Sequence, residues 1–351
     1  MNPETHFTTS QAEFSMRFQI TLILLFCMIL GPGLLHFSRI NAQTFDLNPP
    51  DYYSFEPVFT KAYIIKNKIR TVKAAVSYKR DNEPILDKGI CKCWEYDENG
   101  LLKRYYATSV RGLISHEVEH PAVYHKGRRI KPAWVSEEPT YLYDTVTTIY
   151  LYNSNKQISL KRTRDGDYYN AIYYEYDPEG RIKKQSVFRE TNASENRNVF
   201  RLGVQNMLSS EEFRYEKTST FQVKRKHLND EGKTYKESIM NYDSIGRLTE
   251  ENTSYTVSWM RASMKLKYDK SGRLIQKSTS SNENGEENNH QEFKYVPDTQ
   301  LLDVEQRYEG DAFVHELNYI YDRQTKMLTS HFIREEREKA IVIVRYAYEY
   351  Y

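Results

Sequence analysis

Beyond residue 60, polar and apolar positions alternate through most of the chain. In Ser263–Asp269, "SMKLKYD", Met264, Leu266 and Tyr268 fall on one side and Lys265 and Lys267 on the other, the period of two that marks a half-buried strand. Leu317, Tyr319 and Tyr321 repeat the pattern, as do Ile172, Tyr174 and Tyr176, then Phe293 and Tyr295. Polar clusters such as "NDEG" at Asn229, "SNENGEEN" at Ser281 and "YEGD" at Tyr308 interrupt the runs, so the pattern predicts strands joined by turns.

The strands end on a recurring unit. Tyr96, Tyr176, Tyr242 and Tyr268 are each followed by Asp (Asp97, Asp177, Asp243, Asp269), by Gly four residues on (Gly100, Gly180, Gly246, Gly272), and by an aliphatic residue six on (Leu102, Ile182, Leu248, Leu274). Looser copies begin at Tyr124, Tyr152, Tyr215, Tyr295 and Tyr321, paired in the same frame with Ile130, Ile158, Phe221, Leu301 and Met327. Tyr63 with Ile69 is a tenth candidate. The near-constant interval between anchors supports a repeat architecture, and the one long interval holds the polar insert "RETNASENRN".

Turn chemistry explains the residue types. Asp opens a type I turn and Gly takes its left-handed fourth position, giving a three-residue hairpin loop with a bulge. In "YDKSGRL" the loop is Lys270, Ser271 and Gly272, with Asp269 facing Arg273 and Tyr268 facing Leu274. Two strands and two turns per repeat predict roughly eighteen to twenty strands, and sheets beyond about ten strands curl or close. The expected fold is therefore all-β: a repetitive antiparallel β-hairpin meander forming a long twisted sheet that curls on itself. Its anchor face, with Tyr242, Leu248, Tyr268 and Leu274, should be buried, leaving Lys265, Lys267, Asp269 and Arg273 on the other.

Composition agrees: of 351 residues, 30 are Tyr, while Gly and Pro number 14 and 11, a strand-forming bias. The 50 Lys and Arg against 48 Asp and Glu are interspersed, so no basic stripe points to nucleic acid. From Met16, "MRFQITLILLFCMILGPGLLHFSRINAQ" sets one Arg before an apolar stretch and reaches Ala42, a signal-peptide layout. Residues 1–42 are thus assigned to a signal peptide whose true start is Met16, residues 43–62 to a linker, and residues 63–351 to the repeat domain. Cleavage near Ala42 would place the protein outside the cell, in the periplasm or on the outer surface, with membrane contact only through an uncleaved signal segment. Cys91 and Cys93, two apart on a predicted strand, are poorly placed for a bridge and read as small buried apolar residues.

"YDENGLL", "YDPEGRI", "YDSIGRL" and "YDKSGRL" resemble the YD repeats of RHS-type proteins. The whole layout is similar to short secreted repeat proteins of the Bacteroidota, without the RHS core or a C-terminal toxin. That resemblance implies fold and export, and it carries over no catalytic residue.

One motif invites catalysis. "HEVEH" satisfies HExxH, which on a helix would set His116 and His120 on zinc and leave Glu117 as general base. Against it, Pro121 directly follows His120 and disfavours helical dihedrals there. "SHEVEHP" also alternates as a strand, which would hold the imidazoles roughly 13 Å apart. The favoured reading is a non-catalytic binding or scaffold protein needing no cofactor, its partner a cell-surface protein or glycan; the alternative is a secreted zinc-dependent hydrolase.

Overall fold

The computed structural model describes residues 45–46, 58–196, 199–283, 287–335 and 340–351; the segment read as a signal peptide lies outside them. Eighteen antiparallel strands close into a barrel. Each pairs with its neighbours in the meander, from Ile69–Arg80 to Ala340–Tyr350. Closure comes where these first and last strands meet, through Val76↔Val344 and Val72↔Tyr348. Curling of the sheet thus goes to completion, and a closed barrel leaves no edge around its girth.

Connections alternate between the two ends. The turns after Tyr96, Tyr152, Tyr176, Tyr242, Tyr268, Tyr295 and Tyr321 all fall at one end, together with the C-terminus. Anchor side chains point inward there: Val72, Trp94, Met264, Leu266, Leu274, Phe293, Leu302, Tyr319, Leu328 and Val344 come from strands around the wall yet form one buried cluster, which only inner-face residues can do.

Three copies depart from the expected frame. Tyr63 lies in a helix, Lys61–Lys66, capped by the Thr60 hydroxyl accepting from the Tyr63 amide at 3.2 Å. Phe59, Tyr63 and Ile64 pack into the barrel core, so the end of the expected linker is a plug. Tyr124 is 62 % exposed and sits in a small separate hairpin, Val123–His125 with Arg128–Lys131, at the opposite end from the other anchors. Pro121 and Pro132 flank it, and proline has no N–H to continue a ladder. The strand containing Tyr215 runs on to Ser219 and turns through Thr220 and Phe221.

Two further copies carry one more loop residue than expected. Tyr295 pairs with Leu302 and Tyr321 with Leu328. The left-handed position passes to Asp298 (φ 57°) and Lys326 (φ 59°), and Leu301 and Met327 become loop residues.

Candidate functional site

At the repeat turns each motif residue has a distinct partner. Tyr96, Tyr176, Tyr242 and Tyr268 lie directly across from Leu102, Ile182, Leu248 and Leu274. Gly100, Gly180, Gly246 and Gly272 have φ of 71° to 83°. The Asp269 carboxylate accepts the amides of Ser271 and Arg273 at 2.8 and 2.9 Å and the Arg273 guanidinium at 2.7 Å, an Asx-turn. Burial alone would raise that carboxyl, but these bonds outweigh it and lower its pKa. Asp97, Asp177 and Asp243 accept the backbone amides of their own turns likewise, and Asp177 and Asp243 also hold Arg181 and Arg247.

The repeats are also tied to one another. Tyr268 Oη donates to the Leu248 carbonyl at 2.9 Å, Tyr295 to Leu274 at 2.7 Å, Tyr321 to Leu302 at 2.8 Å and Tyr348 to Leu328 at 2.6 Å. Tyr152, Tyr176 and Tyr215 reach Leu102, Ile158 and Ile182 likewise. In return Arg181, Arg247 and Arg273 lie 4.4–4.7 Å over the rings of Tyr215, Tyr268 and Tyr295 in the following repeat, a cation–π contact. The motif therefore both makes a turn and fastens it to the next hairpin.

His116, Glu117 and His120 lie on the strand Leu102–His120. His116 Nδ1 is 3.1 Å from Thr140 Oγ1, and His120 Nε2 is 2.6 Å from Ser136 Oγ while its ring stacks on Trp134. No helical face brings the two imidazoles together. Among the described residues, no cluster of three or more His, Cys, Asp or Glu is gathered to hold a metal. Cys91 and Cys93 are both free thiols, Cys93 buried and Cys91 half-buried, and burial raises the Cys93 thiol.

Sequence reasoning missed a charged network on the inner wall. Glu211 accepts from Tyr235 Oη and His227 Nδ1, each at 2.5 Å; Arg225 Nε donates to His227 Nε2 at 3.1 Å, and its Nη2 to Glu251 at 2.7 Å. The arginine fixes the tautomer that donates to Glu211. Burial lowers the His227 pKa, with Lys236 and Arg225 adding to the effect against Glu211. Every member is engaged by another, which is the arrangement of a structural network. Arg225, His227 and Glu251 lie on the anchor face, across from Tyr215, Phe213 and Met264.

The outer wall is charged and paired. Lys73 meets Glu349 at 2.5 Å, Arg104 meets Glu95 at 2.6 Å, Lys226 meets Glu216 at 2.6 Å, Lys224 meets Glu237 at 2.8 Å and Lys265 meets Glu250 at 3.7 Å. Lys73 and Arg70 hold the Glu349 carboxyl down to about 2. Lys224 and Lys226 stand near the middle of a strand of only seven residues, Gln222–Leu228. A lipid-facing wall needs an apolar band about 25 Å tall, and Lys or Arg at its midplane costs about 2–4 kcal/mol. Charge at these positions suits contact with water.

No family model and no curated protein matches the sequence. Solved structures that resemble the fold include a porin-like protein from Bacteroides uniformis ATCC 8492, at 12% identity and TM-score 0.34 over 81% of this chain and 97% of that one. A porin-like protein from Bacteroides vulgatus ATCC 8482 aligns at 9% identity and TM-score 0.32, over 81% and 99%. Likeness this distant says nothing about what this chain does.

Proposed function

We propose that the chain is an exported, non-catalytic β-barrel of the cell envelope whose charged outer wall binds or scaffolds a protein or glycan. The observation that carries this reading is the series of ion pairs around the wall, beside which Lys265 and Lys267 alternate with the buried Met264 and Leu266. Such a surface offers many weak, salt-screened contacts in place of one pocket. Kinship with YD-repeat proteins belongs to the same proposal, and the joint work of Tyr, Asp, Gly and Arg at successive turns supports it.

Fractionation of the producing cell tests the reading. The protein should enter the soluble phase when the envelope fraction is washed at high salt or alkaline pH without detergent, and Lys265→Ala with Lys267→Ala should lower the salt needed. A requirement for detergent to release the mature chain, or chelator-sensitive hydrolysis of a peptide library that depends on His116, would overturn it.

A further inference from the structure

At the end opposite the repeat turns, one hairpin rises out of the wall. The strand Leu102–His120 pairs with Leu86–Tyr96 only as far as Ala107↔Lys92, and Trp134–Tyr152 pairs with Ile158–Asp165 only from Thr148↔Thr163. Beyond those points the two pair with each other, from Thr108↔Thr145 to His120↔Trp134. Thirteen residues of extended chain, 108–120, make an arm about 40 Å long, tipped by the small Val123–Lys131 hairpin.

The tip's chemistry is unlike that of the wall. Between His120 and Ser136 there is no acidic residue, while Lys126, Arg128, Arg129 and Lys131 stand within six positions. Tyr124 and Ile130 are 62% and 61% exposed, Trp134 40% and Val123 39%, and Lys131 Nζ lies 5.7 Å over the Trp134 ring. Many cations on the wall pair with carboxylates; at the tip four cations stand beside exposed apolar and aromatic side chains with no acidic residue among them. A bilayer interface takes both, holding cations at anionic headgroups and Tyr, Trp and Ile at the acyl boundary.

We propose that this tip is a membrane-surface anchor that docks the barrel on an anionic lipid bilayer. The occupant is argued from charge: a tip without carboxylates complements a surface of phosphate headgroups, and the acidic residues Glu117, Glu119 and Glu137 stand further down the arm. The docking is peripheral and independent of what the outer wall binds.

Co-sedimentation of the full chain with phosphatidylcholine vesicles, with and without phosphatidylglycerol, tests it. Binding is expected on the anionic vesicles alone and should vanish at 1 M salt. Each cation near such a surface strengthens association about fivefold, so Lys126→Gln, Arg128→Gln, Arg129→Gln and Lys131→Gln together should weaken it by about two orders of magnitude or more. Tyr124→Ser with Ile130→Ser should weaken it by about tenfold while keeping the salt dependence. The substituted side chains are exposed, so both variants should melt like the parent, which separates lost docking from lost folding. Equal binding to both vesicle types, unchanged binding of the four-cation variant, or capture by soluble dextran sulfate with none by vesicles would overturn the proposal.

Discussion

The two ends of the barrel share the same strands and differ in what those strands place inside. At the turn end the inner face is Tyr, Leu, Trp and Val, sealed by Phe59, Tyr63 and Ile64. Beyond that cluster it carries Glu211, Arg225, His227 and Arg307, bonded to one another, to Glu251 and Glu305, or to a tyrosine hydroxyl. Repetition is confined to the first end, where each motif contacts its neighbours and a change in one unit is felt by the next. The second end does not repeat that motif, and there the chain has diverged into the long arm and into the strand Leu202–Ser219, whose Val204, Met207 and Leu208 are 53–60% exposed.

The largest contrast is in packing. Leu328 is fully buried at the turn end, and Leu328→Ala should cost about 3 kcal/mol, the usual price of a large core deletion. Leu208→Ala, on the divergent strand, should change stability by no more than about 0.5 kcal/mol. Comparable losses in urea melts would erase the distinction between the ends.

Next comes pH. Burial, with Lys92 adding to it, depresses the His331 pKa to about 4, below the roughly 6.5 of an unfolded chain. Between these values the unfolded state binds the extra proton, so stability is full above about pH 6.5 and falls as pH drops toward 4. Melting temperature should decline across that window and decline less in His331→Phe. A variant with the same pH slope as the parent would assign the effect to other groups.

Among the turns, Gly100 and Gly246 share a left-handed backbone but not a neighbourhood. A Cβ at Gly100 would lie 2.8 Å from Ile65 of the plug helix and 3.1 Å from the Lys61 carbonyl, whereas one at Gly246 would meet nothing within 4 Å. Gly246→Ala should therefore cost about 1 kcal/mol from backbone strain, and Gly100→Ala about 2 kcal/mol or more as the plug is displaced. Equal costs would mean that the helix does not seat against this turn.

The smallest contrast lies in the tyrosine hydroxyls. Tyr268→Phe removes the bond to the Leu248 carbonyl and should cost about 1 kcal/mol. Tyr242→Phe should be nearly silent, because that hydroxyl reaches only the Met240 sulfur at 3.6 Å, a weak acceptor.

Local chemistry was legible in the sequence and long-range chemistry was not. The turn of Tyr268–Leu274 could be written down from its residues because Asp, Gly and Arg act within seven positions. Closure could not, since Val76 and Val344 pair across nearly the whole chain with no local sign of it. The longer loops after Tyr295 and Tyr321 escaped because Asp298 and Lys326 adopt a conformation that the motif assigns to Gly. The inner network was hidden in "QVKRKHL", Gln222–Leu228, where charged residues occupy both faces of the strand and alternation loses its contrast. Tyr124 matched the repeat interval by spacing alone, and the prolines at 121 and 132 were the better guide.

The central claim is that this barrel buries the anchor face of its repeats and turns the alternate face outward. Thiol labelling at two adjacent positions tests it most directly, in a chain free of Cys27, Cys91 and Cys93. Lys265→Cys should react at once with a charged maleimide in detergent-free buffer, while Leu266→Cys, at a position 4% exposed, should react only on unfolding. Rapid labelling of Leu266→Cys in the native chain, with Lys265→Cys protected by lipid or detergent, would contradict the account.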